Sequence, residues 1–386
     1  MNNDFNYSDQ QYRDPFTNRP QYDFYDEMVV KDAKRATSRS MLSLVFLTLV
    51  TYTLVYAAIF GLKFVLVDIM NDIDLYTRIT ESVYFNMLMN TLPMYAVGVP
   101  VMFFIVRKVP KKPLPIEKPK MSFPMLLAMI PIAELAMLAG SQIGSFINAI
   151  YSAMLGIENY DPVSDLISET PLPILLLLTV VLAPIMEELI FRKLLLDRLS
   201  VYGGKFAIIV SAVAFGLFHG NLDQFFYAVL VGIVLGFVAL KSGNWLYSVL
   251  IHAVMNFIGG ALPMLVGDSV ERFMTWFENI GSETDLSNIP SDLFLDYSVT
   301  MLYLSLIGAL FAGGIVMLVL GIRKRWFTVD ERMSIRIPRG RVSGVVFGNV
   351  GSILFLVISG ILIIFDLFLP IIEQAMQQVS GGGMGV

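Results

Sequence analysis

Two adjacent glutamates and an arginine interrupt one of the apolar stretches of this sequence. The stretch reads PILLLLTVVLAPIMEELIFRKLLLDR, in which Glu187 and Glu188 are followed within about one helical turn by Arg192. A charged side chain at the centre of a membrane helix costs about 2.5 to 3.5 kcal/mol on insertion scales, so such residues usually face the bundle interior and carry function. Glu188 and Arg192 share one helix face and can pair, which leaves Glu187 free.

The chain contains two histidines, and both lie in apolar segments. Phe215 lies one turn before His219 on the same helix face. Asn256 lies one turn after His252, again on the same face. A single histidine inside a membrane helix serves more often as an interhelical hydrogen-bonding group than as a catalyst. Two such histidines, each with a partner one turn away and both near the charged stretch, favour one shared polar site.

Glu187 has the properties of a general base. A carboxylate partly shielded from water can take a proton from a water molecule, which then attacks a peptide carbonyl, and nearby N–H groups can stabilise the resulting oxyanion. The sequence contains no cysteine, which excludes a thiolate nucleophile, a disulfide and a cysteine-ligated metal. The alternative is a structural ion pair of Glu188 and Arg192. Glu134, an isolated carboxylate in another apolar run, either lines the same cavity or makes a structural hydrogen bond.

A zinc site is the second chemical interpretation. Glu187, His219 and His252 together would form a triad with an open position for water. The sequence contains no HExxH motif. Zinc ligation by Glu187 would also leave only Glu188 as a base, although Glu188 is better placed to pair with Arg192. We therefore expect a site without a cofactor, with zinc as the alternative.

The composition indicates an integral membrane protein. The chain is 56% hydrophobic and has a mean hydropathy of +0.68, whereas ordinary soluble domains are about half apolar and a quarter charged. A membrane span needs about 20 apolar residues. The sequence therefore predicts an all-α, polytopic bundle of about nine transmembrane helices, at residues 41–62, 84–106, 122–147, 172–196, 206–220, 222–240, 245–266, 298–321 and 344–369.

The distribution of lysine and arginine predicts the orientation of these helices. The connection RKVPKKPLPIEKPK is basic, whereas IENYDPVSDLISET carries four carboxylates and no base. Because basic loops remain in the cytoplasm, we expect a cytoplasmic N-terminus and an external C-terminus. Residues 1–40 are expected to form a disordered cytoplasmic tail, residues 41–370 the transmembrane bundle, and residues 371–386 an extracytoplasmic tail.

The charge balance limits the classes of partner. A net charge of -5 gives no basic field of the kind that attracts nucleic acid. We predict no nucleic-acid partner; the expected partners are the lipid bilayer and a membrane-associated peptide or protein substrate. Basic cytoplasmic loops and a short tail without a eukaryotic sorting motif favour a multi-pass protein of the bacterial plasma membrane.

Three short motifs follow one another on the predicted membrane helices. They resemble the signature motifs of the CPBP (CAAX protease and bacteriocin-processing, or Abi) intramembrane proteases. The resemblance covers about Leu172 to Gly260, roughly a quarter of the chain. The motifs are Glu187-Glu188-x-x-x-Arg192, Phe215-x-x-x-His219 and His252-x-x-x-Asn256, and Gln224, Gly232, Gly236 and the KSGNW turn also fit the pattern.

The resemblance implies a role for each of these residues. His219 helps Glu187 to position and deprotonate the water, while His252 and Asn256 donate hydrogen bonds to the oxyanion. Glu188 and Arg192 hold the helix face and bias Glu187 electrostatically. Phe215 packs against the imidazole.

The predicted function is that of an intramembrane endopeptidase of glutamate type. Eukaryotic members of the family trim the last three residues from prenylated CAAX proteins, whereas bacterial members are linked to peptide processing, bacteriocin self-immunity and envelope regulation, so a prenylated substrate is not assumed. One alternative is a non-enzymatic membrane scaffold or bacteriocin-immunity protein. Another is a proton-coupled transporter that uses the same Glu and His as a relay. The hydropathy pattern lacks the internal repeat that such a transporter predicts.

Overall fold

The computed structural model describes residues 21–111, 121–156, 170–279, 289–329, 335–338 and 340–381. The regular secondary structure of these residues is helical, and no strand occurs within the described ranges. The predicted all-α class is therefore confirmed.

Nine apolar helices form the bundle in the part of the chain that the structure describes. Within the described ranges, eight helices are long and apolar enough to cross a membrane, and a shorter apolar helix lies among them. The prediction of about nine helices is confirmed, and their orientation relative to the membrane stays a prediction. Each helix is labelled by its apolar span, in chain order α1 (Asp26–Ile69), α2 (Val83–Val106), α3 (Phe123–Leu155), α4 (Leu172–Tyr202), α5 (Gly204–Phe218), α6 (Leu222–Ser242), α7 (Leu246–Asn279), α8 (Phe294–Arg323) and α9 (Val350–Ile372).

Both ends of the chain are more helical than expected. The first helix begins at Gln21, so residues 21–40 of the expected disordered tail are helical, while residues 1–20 lie outside the described ranges. This correction has a packing reason, because Val29, Ala33 and Ala36 of this segment are buried. The last helix likewise continues to Gly381, through most of the expected external tail.

Helix α7 also extends beyond its predicted end at residue 266 and reaches Asn279. The extension forms because its aromatic side chains find partners. The Phe273 ring lies 5.4 Å from that of Tyr297 on α8, measured between centroids. Arg272 donates to Asp296 at 2.7 Å, which ties the same two helices together. Tertiary contacts thus continue a helix beyond the end of the predicted apolar span.

Helix α3 is packed closely on two sides through glycine. A Cβ atom at Gly140 would collide with the backbone of Tyr227 on α6, and one at Gly314 of α8 would collide with the carbonyl of Pro131. Small residues allow such close approach of membrane helices, whose association depends on van der Waals packing.

The register of helix α4 changes along its length. The segments Leu176–Leu182 and Leu189–Leu196 are π-helical, and the α-helical turn Ala183–Glu188 lies between them. Pro184 lies in that turn and has no N–H for the helix ladder. Because π-helical segments occur often at functional sites, this irregular helix marks the region that carries the charged stretch.

A buried arginine joins α4 to α2. Arg198 is 1% exposed. Its guanidinium donates to the carbonyl of Val106 at 2.8 Å and to the carbonyl of Leu194 at 2.8 Å. The Val106 carbonyl lies at the end of α2, where backbone acceptors need external donors. Arg198 therefore fixes the last turns of the two helices against each other.

Candidate active site

The predicted pair of Glu188 and Arg192 forms and is fully buried. Arg192 Nε donates to Glu188 Oε2 at 3.0 Å, and both side chains are 0% exposed. Arg192 also donates through NH1 to the hydroxyl of Ser211 on α5 at 3.0 Å, and this hydroxyl donates to the carbonyl of Phe191 at 2.9 Å. The arginine therefore links the turn of α4 that carries the two glutamates to α5.

His252 lies between the two glutamates. Its Nδ1 is 3.1 Å from Glu188 Oε1, and its Nε2 is 3.7 Å from Glu187 Oε2. The carboxylate of Glu188 can only accept, so Nδ1 carries the hydrogen in this contact. Glu188 is thus bonded on both oxygens, one to Arg192 and one to His252. Glu187 has 17% of its side chain exposed, in contrast to Glu188.

His219 lies at the end of helix α5 and is held by its own backbone. Its Nδ1 is 2.8 Å from the carbonyl of Phe215, which can only accept. The hydrogen therefore resides on Nδ1, and Nε2 presents a lone pair. The chain then turns at Gly220, which has a left-handed φ of 71°, and Asn221 caps α6 by accepting from the backbone N–H of Gln224 at 2.8 Å. The chain thus breaks between the helices that were predicted at 206–220 and 222–240.

The ring of Phe215 is the common surface of the site. Its centroid lies 4.9 Å from that of His219 and 5.7 Å from that of His252, both in edge-to-face geometry. The guanidinium carbon of Arg192 lies 5.2 Å above the same ring, within the range of a cation–π contact. Phe215 is 2% exposed. Both imidazoles therefore pack on one rigid aromatic ring, as expected for the imidazole of the Phe215 motif.

Asn256 points back toward α4. Its Nδ2 donates to the backbone carbonyl of Thr179 at 2.8 Å, across 77 residues of sequence. A primary amide has two N–H donors, so the second one is left for another acceptor. The structure thus brings together Glu187, Glu188, Arg192, Phe215, His219 and His252, and it places Asn256 one turn further along α7, against the π-helical part of α4.

Three neighbours of the site were not singled out from the sequence. Ser211 lies one turn before Phe215 on α5, and this spacing was a usable signal. Thr179 takes part through its backbone, for which side-chain type gives no signal. Tyr95 of α2 is close enough to interact electrostatically with Glu187, and it belongs to none of the three motifs. Glu134 is 1% exposed, and its Oε2 has no hydrogen-bond partner among the described residues.

The expected zinc alternative can be tested against this geometry. Nδ1 of His252 is bonded to Glu188, and Nδ1 of His219 is bonded to a backbone carbonyl. Among the residues that the structure describes, no three His, Asp or Glu side chains are grouped closely enough to hold a metal ion. The Nδ1 contacts leave Nε2 of each ring open, as in a histidine that ligates zinc, but Glu187, His219 and His252 are not grouped closely enough for a zinc triad in this arrangement, and we derive no step through a metal.

The apolar helices with a buried polar cluster define a multi-pass membrane protein. Residues 169–258 match the family described as type II CAAX prenyl endopeptidase Rce1-like. This match confirms the resemblance to the CPBP, or CAAX protease, family for the segment that contains the three motifs.

Two curated bacterial proteins are similar to part of the chain. The UPF0177 protein YxdF of Lactococcus lactis is 26% identical over 104 residues, which cover 27% of this chain and 58% of that protein. The putative membrane peptidase YdiL of Bacillus subtilis is 28% identical over 100 residues, which cover 26% of this chain and 40% of that protein. The similarity thus spans less than two thirds of either relative. No solved structure matches the chain.

Proposed function

We propose that the protein is an intramembrane endopeptidase of CPBP type that hydrolyses a peptide bond of a membrane-associated protein or peptide. The observation that carries the proposal is the placement of the His252 ring between Glu188 and Glu187, at 3.1 and 3.7 Å. A general base, an imidazole and an amide donor on neighbouring helices are the groups that acyl hydrolysis requires. The family match of residues 169–258 and the similarity to a putative membrane peptidase support the same class.

Glu187 is the base of the proposed reaction. Its carboxylate takes a proton from a water molecule, and the hydroxide attacks the peptide carbonyl. His219 supports this step, because its Nδ1–H is bonded to Phe215 and its Nε2 lone pair accepts the other hydrogen of the water. The proton on Glu187 then passes to Nε2 of His252, which faces it at 3.7 Å. From there it reaches the leaving amine.

The oxyanion of the tetrahedral intermediate is stabilised by α7. Nε2 of His252, once protonated, and the free N–H of Asn256 are donors on the same face of that helix. Removing one donor of this kind typically costs about 100- to 1000-fold in rate. Glu188 acts through His252, whose ring it holds by Nδ1, and Arg192 acts by holding Glu188.

We propose that the reaction uses no resident metal and takes place in the plasma membrane of a bacterium. The first statement is supported by the spacing of Glu187, His219 and His252, which, among the residues that the structure describes, are not grouped closely enough to hold a metal ion. Metal analysis of the purified protein is expected to find less than stoichiometric zinc, and 1,10-phenanthroline is expected to leave turnover unchanged. Stoichiometric zinc whose removal abolishes turnover would show that the site rearranges around a metal.

The decisive experiment compares cells that express the wild-type protein with cells that express Glu187→Gln. We expect new peptide C-termini in the membrane fraction of the wild-type cells and their absence in the variant, since the amide cannot act as a base. Glu271→Gln is the matched control, because Glu271 is an exposed carboxylate on α7. If Glu187→Gln inserts normally and retains every terminus and phenotype, the protein acts without hydrolysis, as a scaffold or immunity protein. Proton-coupled uptake by proteoliposomes would instead indicate transport.

A further inference from the structure

The carbonyl group of Thr179 is the one acceptor that the described contacts give to the side chain of Asn256. A backbone carbonyl inside a helix normally accepts from an N–H four residues later in an α-helix, or five residues later in a π-helix. The Thr179 carbonyl accepts the amide of Asn256 at 2.8 Å instead. Some feature of α4 must therefore leave this carbonyl open to another helix.

The local register identifies that feature as Pro184. In the π-helical segment Leu176–Leu182, the N–H of Ala183 donates to the carbonyl of Leu178, five residues back. The next pair in the same register would join residue 184 to Thr179, but proline has no N–H. In an α-helical register, proline at 184 would have orphaned the carbonyl of Val180 instead. The π-helical register thus moves the orphaned carbonyl by one residue, to Thr179.

An orphaned carbonyl in a membrane bundle needs a partner. No water competes for it in the hydrocarbon region, so an unsatisfied backbone group costs several kcal/mol there. Asn256 supplies the donor. Because the amide group is planar, this bond orients the second N–H of Asn256 as well. Pro184 is itself buried. It lies three residues before Glu187, so one turn of α4 carries both the proposed base and the proline that leaves the Thr179 carbonyl without a backbone donor.

We propose that Pro184 is a positioning residue: together with the π-helical segment Leu176–Leu182 it reserves the Thr179 carbonyl for Asn256 and so fixes the orientation of that amide. The geometric part concerns only backbone and amide contacts. Its catalytic consequence rests on the proposed function, since it makes Asn256 a preorganised oxyanion donor. A fixed donor needs no reorientation as the oxyanion forms, which is the property that makes such donors effective.

Pro184→Ala tests the geometric part. Alanine restores an N–H that can pair with the Thr179 carbonyl, and it is a good helix former, so we expect the variant to fold. Pro173→Ala is the matched control, because Pro173 lies in the first turn of the same helix, where a missing N–H leaves no carbonyl without its donor.

Carbonyl NMR reports on the contact without any substrate. Thr-Val occurs twice in the sequence, at Thr179-Val180 and at Thr328-Val329. Labelling with 13C-carbonyl threonine and 15N-valine therefore gives two signals. Thr328 serves as the reference, since its carbonyl accepts from Lys241. We expect Asn256→Ala to shift the Thr179 signal in the wild-type and Pro173→Ala proteins, and to leave it unchanged in Pro184→Ala. An equal response in all three backgrounds, or none in the wild type, would overturn the proposal.

Turnover tests the catalytic consequence separately, on a substrate identified by the comparison of peptide termini. We expect Pro184→Ala to lower kcat, by up to the 100- to 1000-fold typical of a lost oxyanion donor, with little change in KM. In an Asn256→Ala background, Pro184→Ala should cost nothing further. Fully additive losses would refute the assignment of Pro184 as a positioning residue. The two parts can fail separately. If the Thr179 signal responds as expected but neither the wild-type protein nor any variant cleaves peptides, the proposed function is refuted, whereas the contact between Asn256 and Thr179 is supported.

Discussion

Nδ1 of His252 lies 3.1 Å from Oε1 of Glu188, whose other oxygen accepts from Arg192 at 3.0 Å. One buried carboxylate thus bonds a residue of its own helix and a residue of α7. Carboxylates that hold an imidazole in this way fix its tautomer and ring orientation. The two neighbouring glutamates therefore have different surroundings: Glu188 is bonded on both oxygens, and Glu187 keeps partial exposure.

Glu188→Gln is expected to destabilise the protein strongly. The substitution leaves Arg192 buried without a counter-charge, and breaking a buried pair by removing one partner costs about 3 to 5 kcal/mol. Lys193→Met is the control, since it breaks the Lys193–Asp197 pair, which has the same spacing but is 43% and 39% exposed. Exposed pairs are worth less than about 1 kcal/mol. Unfolding of the two purified variants in micelles gives the comparison, and equal small losses would contradict the role assigned to Glu188.

His219→Asn is expected to remove activity and to preserve the fold. The asparagine amide is long enough to donate to the Phe215 carbonyl in place of Nδ1, but it offers no lone pair in the position of Nε2. The loss of general acid–base assistance typically costs about 100- to 10,000-fold. The appearance of peptide C-termini in cells measures activity, and the melting temperature measures the fold. A variant with full activity would exclude His219 from the reaction.

Phe215→Leu and Phe218→Leu are expected to separate packing from chemistry. Both rings contact Phe191 edge to face, with centroid distances of 5.0 and 5.4 Å. Each variant loses one such pair, worth about 0.5 to 1.5 kcal/mol beyond the buried area. Only Phe215 also touches Arg192, His219 and His252. We therefore expect Phe215→Leu to lose more stability than Phe218→Leu and to be the only one of the two variants that loses turnover; equal turnover in both variants would refute this prediction.

Gly140→Ala is expected to disturb the packing of α3 on α6. The new Cβ would overlap the backbone of Tyr227, and overpacking of this kind costs about 1 to 3 kcal/mol. Gly308→Ala is the control, because no atom lies within 4 Å of its added Cβ. Thermal unfolding of both variants checks the difference. A Gly140→Ala protein as stable as the control would indicate that the two helices can separate without loss.

Contacts within one helix followed from the sequence by itself. The pairing of Glu188 with Arg192 and the packing of His219 on Phe215 depend only on the helical repeat, which places residues four apart on one face. The number of apolar helices followed in the same way from the length that a bilayer requires. Composition likewise excluded cysteine chemistry.

Contacts between helices were decided by the tertiary structure. His252 lies 64 residues after Glu188, and Asn256 lies 77 residues after Thr179. Periodicity states which face of a helix a residue occupies, but not which helix that face meets. That choice depends on close glycine packing, on the π-helical register of α4 and on which backbone carbonyl Pro184 leaves open. For the same reason, the sequence could not show that packing binds one of the two N–H groups of Asn256 to the carbonyl of Thr179.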